Sequence, residues 1–197
     1  MEEQRRVRVL PGPESGTLRL LDRETFDPVV VRLDGSDARL DDVHPGYLLD
    51  ATLDWSAPEP AVERFTVQRS TLYTFADGIE PVFEVARDVW QEARASGDGM
   101  NSRVTHNTDG EANGVCYVFA EPPLEDRLAE FREGARPIEP LIDRVNESAD
   151  VAPREVFVLR PADGAFVVVT IAFEKGGHFA DTLWETYSCE RPAEPLG

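Results

Sequence analysis

The chain has 197 residues, 41% of them hydrophobic, with 20 basic and 38 acidic residues and a formal net charge of −18. This composition suffices for one large or two small packed domains and excludes wholesale disorder. All basic residues except Lys175 are Arg, a bias typical of proteins adapted to molar salt, where charges are screened over about 3 Å. The acidity therefore indicates a salt-rich medium rather than a basic partner.

The sequence shows no targeting signal. The N-terminus leads into no apolar core of signal-peptide length, and no apolar run approaches the roughly 18 residues of a membrane span. Cys116 and Cys189 fit neither a disulfide framework nor a zinc cluster. We expect a soluble, cytoplasmic protein, and we predict no metal and no cofactor because no P-loop, dinucleotide or zinc motif occurs.

Short apolar segments separated by turns fill residues 5–75, which predicts a small β-barrel or sandwich. In the clearest strand, 47–55, apolar and polar residues alternate, so one face is core and the other is solvated. Five or six such strands make residues 1–76 a domain of the size of a small OB-like barrel. Residues 44–53, with the sequence HPGYLLDATL, resemble the Pro-Gly turn and following strand of such nucleic-acid-binding barrels.

Helical periodicity begins after residue 76. A capping-box pattern at 77–80 and the apolar spacing of Ala86, Val89 and Ala93 predict a helix that ends at Ser96. The polar segment 97–113 is interpreted as a loop, and 114–120 as a buried strand. Two further helices are predicted, one opened by Pro122 with Leu124 turned inward, the other started by Pro137.

Residues 155–173 give the strongest local pattern, two apolar segments joined by a Pro-Ala-Asp-Gly turn. The pattern predicts a β-hairpin whose second strand is apolar on both faces and therefore central and covered by helices. A last helix at 179–187 precedes a Pro-rich tail that we expect to be loose. The predicted fold class is α+β, a small N-terminal OB-like β-barrel followed by an α+β domain at 77–197 with a helix-covered antiparallel sheet.

The acidic, Lys-poor chain as a whole resembles small haloarchaeal proteins that form a family of unknown function. The resemblance implies a compartment and no particular activity.

One candidate site is a basic, aromatic face on the predicted barrel. Such a face stacks bases and tracks phosphates, so it favours RNA, single-stranded nucleic acid or a nucleotide as the partner. The candidate ligand-binding residues are Arg6, Arg8, Arg64, Arg69 and Tyr73. The alternative is that the aromatic residues among them are core and that Arg69 lies at the barrel rim.

A second candidate site lies in the 101–111 segment. His106 as a general base, with Asp109 and Arg103, would suit a small hydrolase, because a carboxylate tunes a histidine and an arginine binds an anion bidentately. His178 could complete a metal site with His106 and Asp109, but the spacing of these residues matches no recognised ligand pattern. The alternative is a solvated connection. The sequence thus leaves three function classes open: a nucleic-acid or nucleotide binding module, a hydrolase, and a non-catalytic protein-interaction module.

Overall fold

The structure is a computed structural model and describes residues 1–34 and 39–194. In these ranges the elements alternate between strands and helices in an α+β arrangement. They are β1 (Glu2–Pro11), β2 (Thr17–Asp22), β3 (Pro28–Arg32), β4 (Leu48–Asp54), β5 (Ala61–Arg69), β6 (Leu72–Ile79), α1 (Glu84–Ser96), β7 (Met100–His106), β8 (Ala112–Ala120), α2 (Arg127–Glu133), α3 (Glu139–Ser148), β9 (Glu155–Pro161), β10 (Phe166–Ala172) and α4 (His178–Thr186).

The first five strands form an antiparallel sheet in the order β3-β2-β1-β4-β5. The predicted core face of β4 is confirmed, because Leu49, Ala51 and Leu53 are fully buried in a core of this sheet. The opposite face is less solvated than predicted, since Leu48 and Thr52 are buried as well. The predicted closed barrel is not found in the described ranges, where β3 and β5 are not hydrogen-bonded neighbours. The N-terminal part is therefore an open five-stranded sheet with its own core.

Strand β6 belongs to the second sheet, although the sequence interpretation placed residues up to Phe75 in the barrel. It pairs in parallel with β9, from Leu72 opposite Glu155 onwards, and the second sheet has the order β6-β9-β10-β8-β7. The boundary predicted after Ala76 therefore falls inside a strand. Local alternation predicts a strand but not its partner, since the partner lies far along the chain.

The predicted hairpin of β9 and β10 is confirmed, and β10 is the central strand of the second sheet. Val167, Val169 and Ile171 face a core shared with α2, α3 and the first sheet. Val168 faces the opposite core beneath α1 and α4. Both faces of β10 are therefore covered, as its uninterrupted apolar sequence predicts.

Two helix starts differ from their predictions. Helix α1 begins at Glu84, because residues 77–79 are the end of β6. Helix α2 begins at Arg127 with Asp126 as its N-cap, and Leu124 is fully exposed rather than turned inward. The predicted end of α2 at Gly134 is confirmed: this residue has a φ of 84°, and an added Cβ would lie 2.9 Å from Leu10 Cδ1.

The polar segment predicted as a loop is largely a strand. Residues 100–106 form β7, which pairs antiparallel with β8, and only a short turn at 107–111 connects them. In the described part of the chain, no helix is long and apolar enough to cross a membrane.

Candidate functional site

The predicted nucleic-acid face is not assembled. Arg8 is 2% exposed and Tyr73 7% exposed. Arg8 donates to both carboxylate oxygens of Glu139 and to the carbonyl of Gly46, and it lies over the ring of Tyr73. Tyr73 sits in β6 of the second sheet, and its burial raises the pKa of its phenol well above the ordinary value. Both residues are therefore core groups that join the two sheets.

The other three predicted contacts are dispersed over the first sheet. Arg6 is held bidentately by Asp50, with 2.7 and 3.0 Å between the paired atoms. Arg64 is exposed and lies 3.8 Å from the carboxylate of Glu2. Arg69 ends β5 and is half-buried. This surface therefore alternates between basic and acidic groups instead of presenting a continuous phosphate track.

The predicted hydrolase residues lie on the β7 edge. Arg103 forms an ion pair with Glu92 of α1, with 2.5 Å between Nη2 and Oε1. His106 and Asp109 are both exposed. A neighbouring cavity of about 310 Å³ brings His178 together with Asn107 and Glu111, but His106 and Asp109 do not line it. In the described ranges, no group of three His, Cys, Asp or Glu residues is placed to hold a metal.

A large cavity lies where loops of the two sheets meet the C-terminal tail. We call it the junction cavity; its volume is about 630 Å³, within the usual range for small-molecule sites. It is lined by Ser70, Ala152, Pro153, Glu155, Phe173, Glu174, Lys175, Gly176, Arg191 and Glu194. Its walls thus combine an apolar side with charges of both signs.

Glu155 anchors this cavity. The side chain is 1% exposed at the start of β9. It accepts hydrogen bonds from the Gly176 amide at 2.8 Å, from the Trp184 indole and from Arg191 Nη2 at 3.0 Å. A buried carboxylate is stabilised only when it is fully hydrogen-bonded. Glu155 therefore fixes the loop before α4 and the start of the tail in one arrangement.

Lys175 lies on another wall, in the loop between β10 and α4. Its ammonium donates to the Ser70 carbonyl at 2.5 Å and to Glu194 Oε1 at 2.7 Å, and it lies over the ring of Tyr47. The Tyr47 hydroxyl donates to the same Glu194 carboxylate. The tail predicted to be loose is therefore anchored through residue 194.

Several hydrogen-bond donors remain on the cavity walls. An ammonium has three N–H groups and a guanidinium has five. Lys175 uses two of its three N–H groups, for Ser70 and Glu194, and Arg191 binds Glu155 and Asp181 through Nη2 alone. Within the described ranges this leaves one N–H of Lys175, the Nε and Nη1 groups of Arg191 and the Ser70 hydroxyl without a protein partner. The cavity can therefore offer several donors to an anionic group.

The sequence interpretation missed the two buried carboxylates that organise the molecule, Glu139 and Glu155. A signal for Glu139 exists, because it falls on the apolar face of α3 with Ile142 and Val145 at steps of three. Glu155 opens a strand that is apolar except for Arg160, and the first position of a strand is an ordinary place for a solvated residue. Its burial depends on α4 and the tail, which local sequence does not place.

The described residues thus form an α+β protein of two five-stranded sheets and four helices. The chain belongs to a family of unknown function, DUF6663, whose model matches residues 1–192. No curated protein matches the chain.

Two solved structures are similar over most of the chain. A protein of unknown function, DUF1344, from Bacteroides vulgatus shares 7% identity with a TM-score of 0.29, covering 90% of this chain and 93% of the other. YjeQ from Thermotoga maritima shares 12% identity with a TM-score of 0.29, covering 84% and 74%. At these values neither similarity carries an argument about function.

Proposed function

We propose that the protein is a binding module for a small anionic ligand of the nucleotide class, held in the junction cavity. The observation that carries this proposal is the placement of the only lysine of the chain, Lys175, in the cavity wall with a free N–H. In a chain that otherwise uses arginine for every basic residue, a compact ammonium at this position has a geometric role that a planar guanidinium does not fill.

The cavity offers complementary surfaces to two parts of such a ligand. The unused donors of Lys175, Arg191 and Ser70 suit the oxygens of a phosphate or carboxylate. Phe173, Ala152 and Pro153 form an apolar wall against which a planar ring packs. A single nucleotide matches this pair of surfaces better than a nucleic-acid chain does, because the exposed arginines of the first sheet are interspersed with carboxylates.

Calorimetric titration with ATP, adenosine and inorganic phosphate tests this function. ATP is expected to bind more tightly than either part alone. Lys175→Met and Arg191→Met are each expected to weaken ATP binding at least tenfold. Arg94→Met, which removes the same charge from an exposed position of α1, serves as the control and is expected to bind normally.

Glu194→Gln separates ligand binding from tail anchoring. This variant loses the ion pair with Lys175 but keeps the ammonium, so ATP is expected to bind at least as tightly as to the wild type. The absence of binding by the wild type at millimolar ATP, or unchanged binding by a folded Lys175→Met variant, would overturn the proposal.

A further inference from the structure

Among the described residues, no strand pairs with the outer edge of β7. The amide of Ala120 donates to the carbonyl of Gly99 at 2.9 Å, so alternate residues of β7 bond to β8. The peptide groups of Met100, Ser102 and Val104 therefore point away from the sheet. The Ser102 amide donates to Asn101 Oδ1 of the neighbouring residue at 2.9 Å. An edge of this kind is a template for another strand.

The same edge exposes apolar side chains on one face. Met100 is 40% exposed and Val104 45% exposed, although both belong to a regular strand of the second sheet. They lie opposite Phe119 and Val115 of β8, on the side of the core shared with α2 and α3. Met100 and Val104 therefore extend the apolar surface of this core to the solvent-exposed edge of the sheet.

We infer that β7 pairs antiparallel with β7 of a second copy, about a two-fold axis at Ser102. In this register Met100 of each copy lies opposite Val104 of the other copy. Ser102 lies opposite Ser102 of the other copy. The exposed apolar residues thus cover each other, and their outward peptide groups exchange hydrogen bonds. The sequence of the strand is therefore self-complementary at its exposed face.

The opposite face of β7 is complementary in charge. Glu92 of α1 accepts from Arg103 at 2.5 Å and lies 3.5 Å from Asn101 Nδ2. In the proposed register Arg103 of one copy lies opposite Asn101 of the other and so approaches the Glu92 of that copy. Two arginines and two glutamates then alternate across the axis. A two-fold axis at Arg103 would instead place like charges directly opposite each other, which is destabilising.

Sedimentation equilibrium in molar potassium chloride tests the pairing. The wild type is expected to form a dimer at micromolar concentration. Val104→Lys is expected to raise the dimer dissociation constant at least tenfold, because it places a charge against Met100. Val67→Lys is the matched control, since Val67 is also 45% exposed and lies on an edge strand of the other sheet. A monomeric wild type, or a dimer that Val104→Lys leaves unchanged, would overturn the inference.

A cysteine at the axis gives a second measurement that does not depend on weakening the strand. In a Cys189→Ser background, Ser102→Cys is expected to form an interchain disulfide on oxidation, because hydrogen-bonded partners in an antiparallel pair lie about 5.5 Å apart at Cα. Thr66→Cys, on exposed β5, is the control and is expected to remain monomeric on a non-reducing gel. Equal cross-linking of the two variants would contradict the proposed register.

Discussion

Arg8 of β1 and Glu139 at the start of α3 form an ion pair that is buried on both sides, with exposures of 2% and 1%. Burial alone lowers the pKa of the guanidinium, but the neighbouring Tyr73 and the Glu139 carboxylate outweigh it and raise the pKa above the ordinary value. Arg23 reaches the same carboxylate at 2.8 Å. This charged cluster therefore joins the first sheet to α3.

Removing one partner of this pair is expected to be more harmful than removing both. Glu139→Gln leaves Arg8 buried without its counterion, which costs about 3–5 kcal/mol for a buried pair. The double variant Arg8→Met with Glu139→Met is expected to recover much of that loss. Urea unfolding of the single and double variants measures the difference. Additive losses would show that the two residues act independently.

The central position of β10 predicts that a charged substitution on either of its two faces lowers the stability of the protein to a similar extent. Val168 and Ile171 are both fully buried, under opposite layers. Val168→Asp and Ile171→Asp are each expected to destabilise the protein by several kcal/mol, because each buries an unpaired charge. Thermal unfolding followed by circular dichroism provides the measurement, and Val67→Asp on the edge strand β5, at a position 45% exposed, is a suitable control. Tolerance of either core substitution would mean that one covering layer is dispensable.

The tail anchor predicts a loss of stability in acid. Burial raises the pKa of Glu194, but hydrogen bonds from Lys175 and Tyr47 outweigh this effect and hold the pKa below its ordinary value. A lowered carboxylate pKa contributes stability above the unfolded value of about 4.3, and the contribution disappears as the pH falls through the folded value.

The melting temperatures of wild type and Glu194→Gln are therefore expected to differ at pH 7, and the difference is expected to shrink as the pH falls below the unfolded value of about 4.3. The difference at neutral pH corresponds to about 1 kcal/mol or less, because the pair is partly solvated. Differential scanning calorimetry across this range makes the comparison. A gap that stays constant from pH 7 into the acid range would assign the effect to something other than the charge of Glu194.

The net charge of −18 predicts that the fold depends on salt. Carboxylates on the surface repel each other unless salt screens them, so structure is expected to be lost as salt falls from molar to about 0.1 M. Circular dichroism across a potassium chloride series, with sucrose as a non-ionic control for exclusion effects, provides the measurement. An unchanged spectrum at low salt would remove the argument for adaptation to molar salt.

The sequence predicts those elements whose environment is uniform along the strand. The alternation in β4 and the apolar run in β10 each follow from one buried face or two. β7 was missed because its residues are polar for two different reasons. Ser102 faces solvent at the sheet edge, whereas Asn101 and Arg103 bind groups of α1, namely the Val89 carbonyl and Glu92. A polar segment with such partners has the composition of a loop.

The candidate cavity was beyond sequence reasoning for a different reason. From the sequence Lys175 stands out only as a departure from the arginine bias, because its partners Ser70 and Glu194 come from the connection between β5 and β6 and from the tail. Charge and aromaticity make Arg8 and Tyr73 candidates for nucleic-acid contacts. The same two properties suit them to a buried network with Glu139. Composition identifies such groups, while only tertiary packing decides which of them meet solvent.

The parallel pairing of β6 with β9 also has a consequence for synthesis of the chain. The first sheet is complete once β5 has left the ribosome, since all its strands precede residue 70. β6 follows at once, but its partner, which starts at Glu155, is made only after three helices and two further strands. Contacts of this separation form late and leave an unpaired strand exposed in the meantime. During synthesis the N-terminal sheet is therefore complete while β6 is still unpaired. The partner of β6 becomes available only when the last quarter of the chain is made.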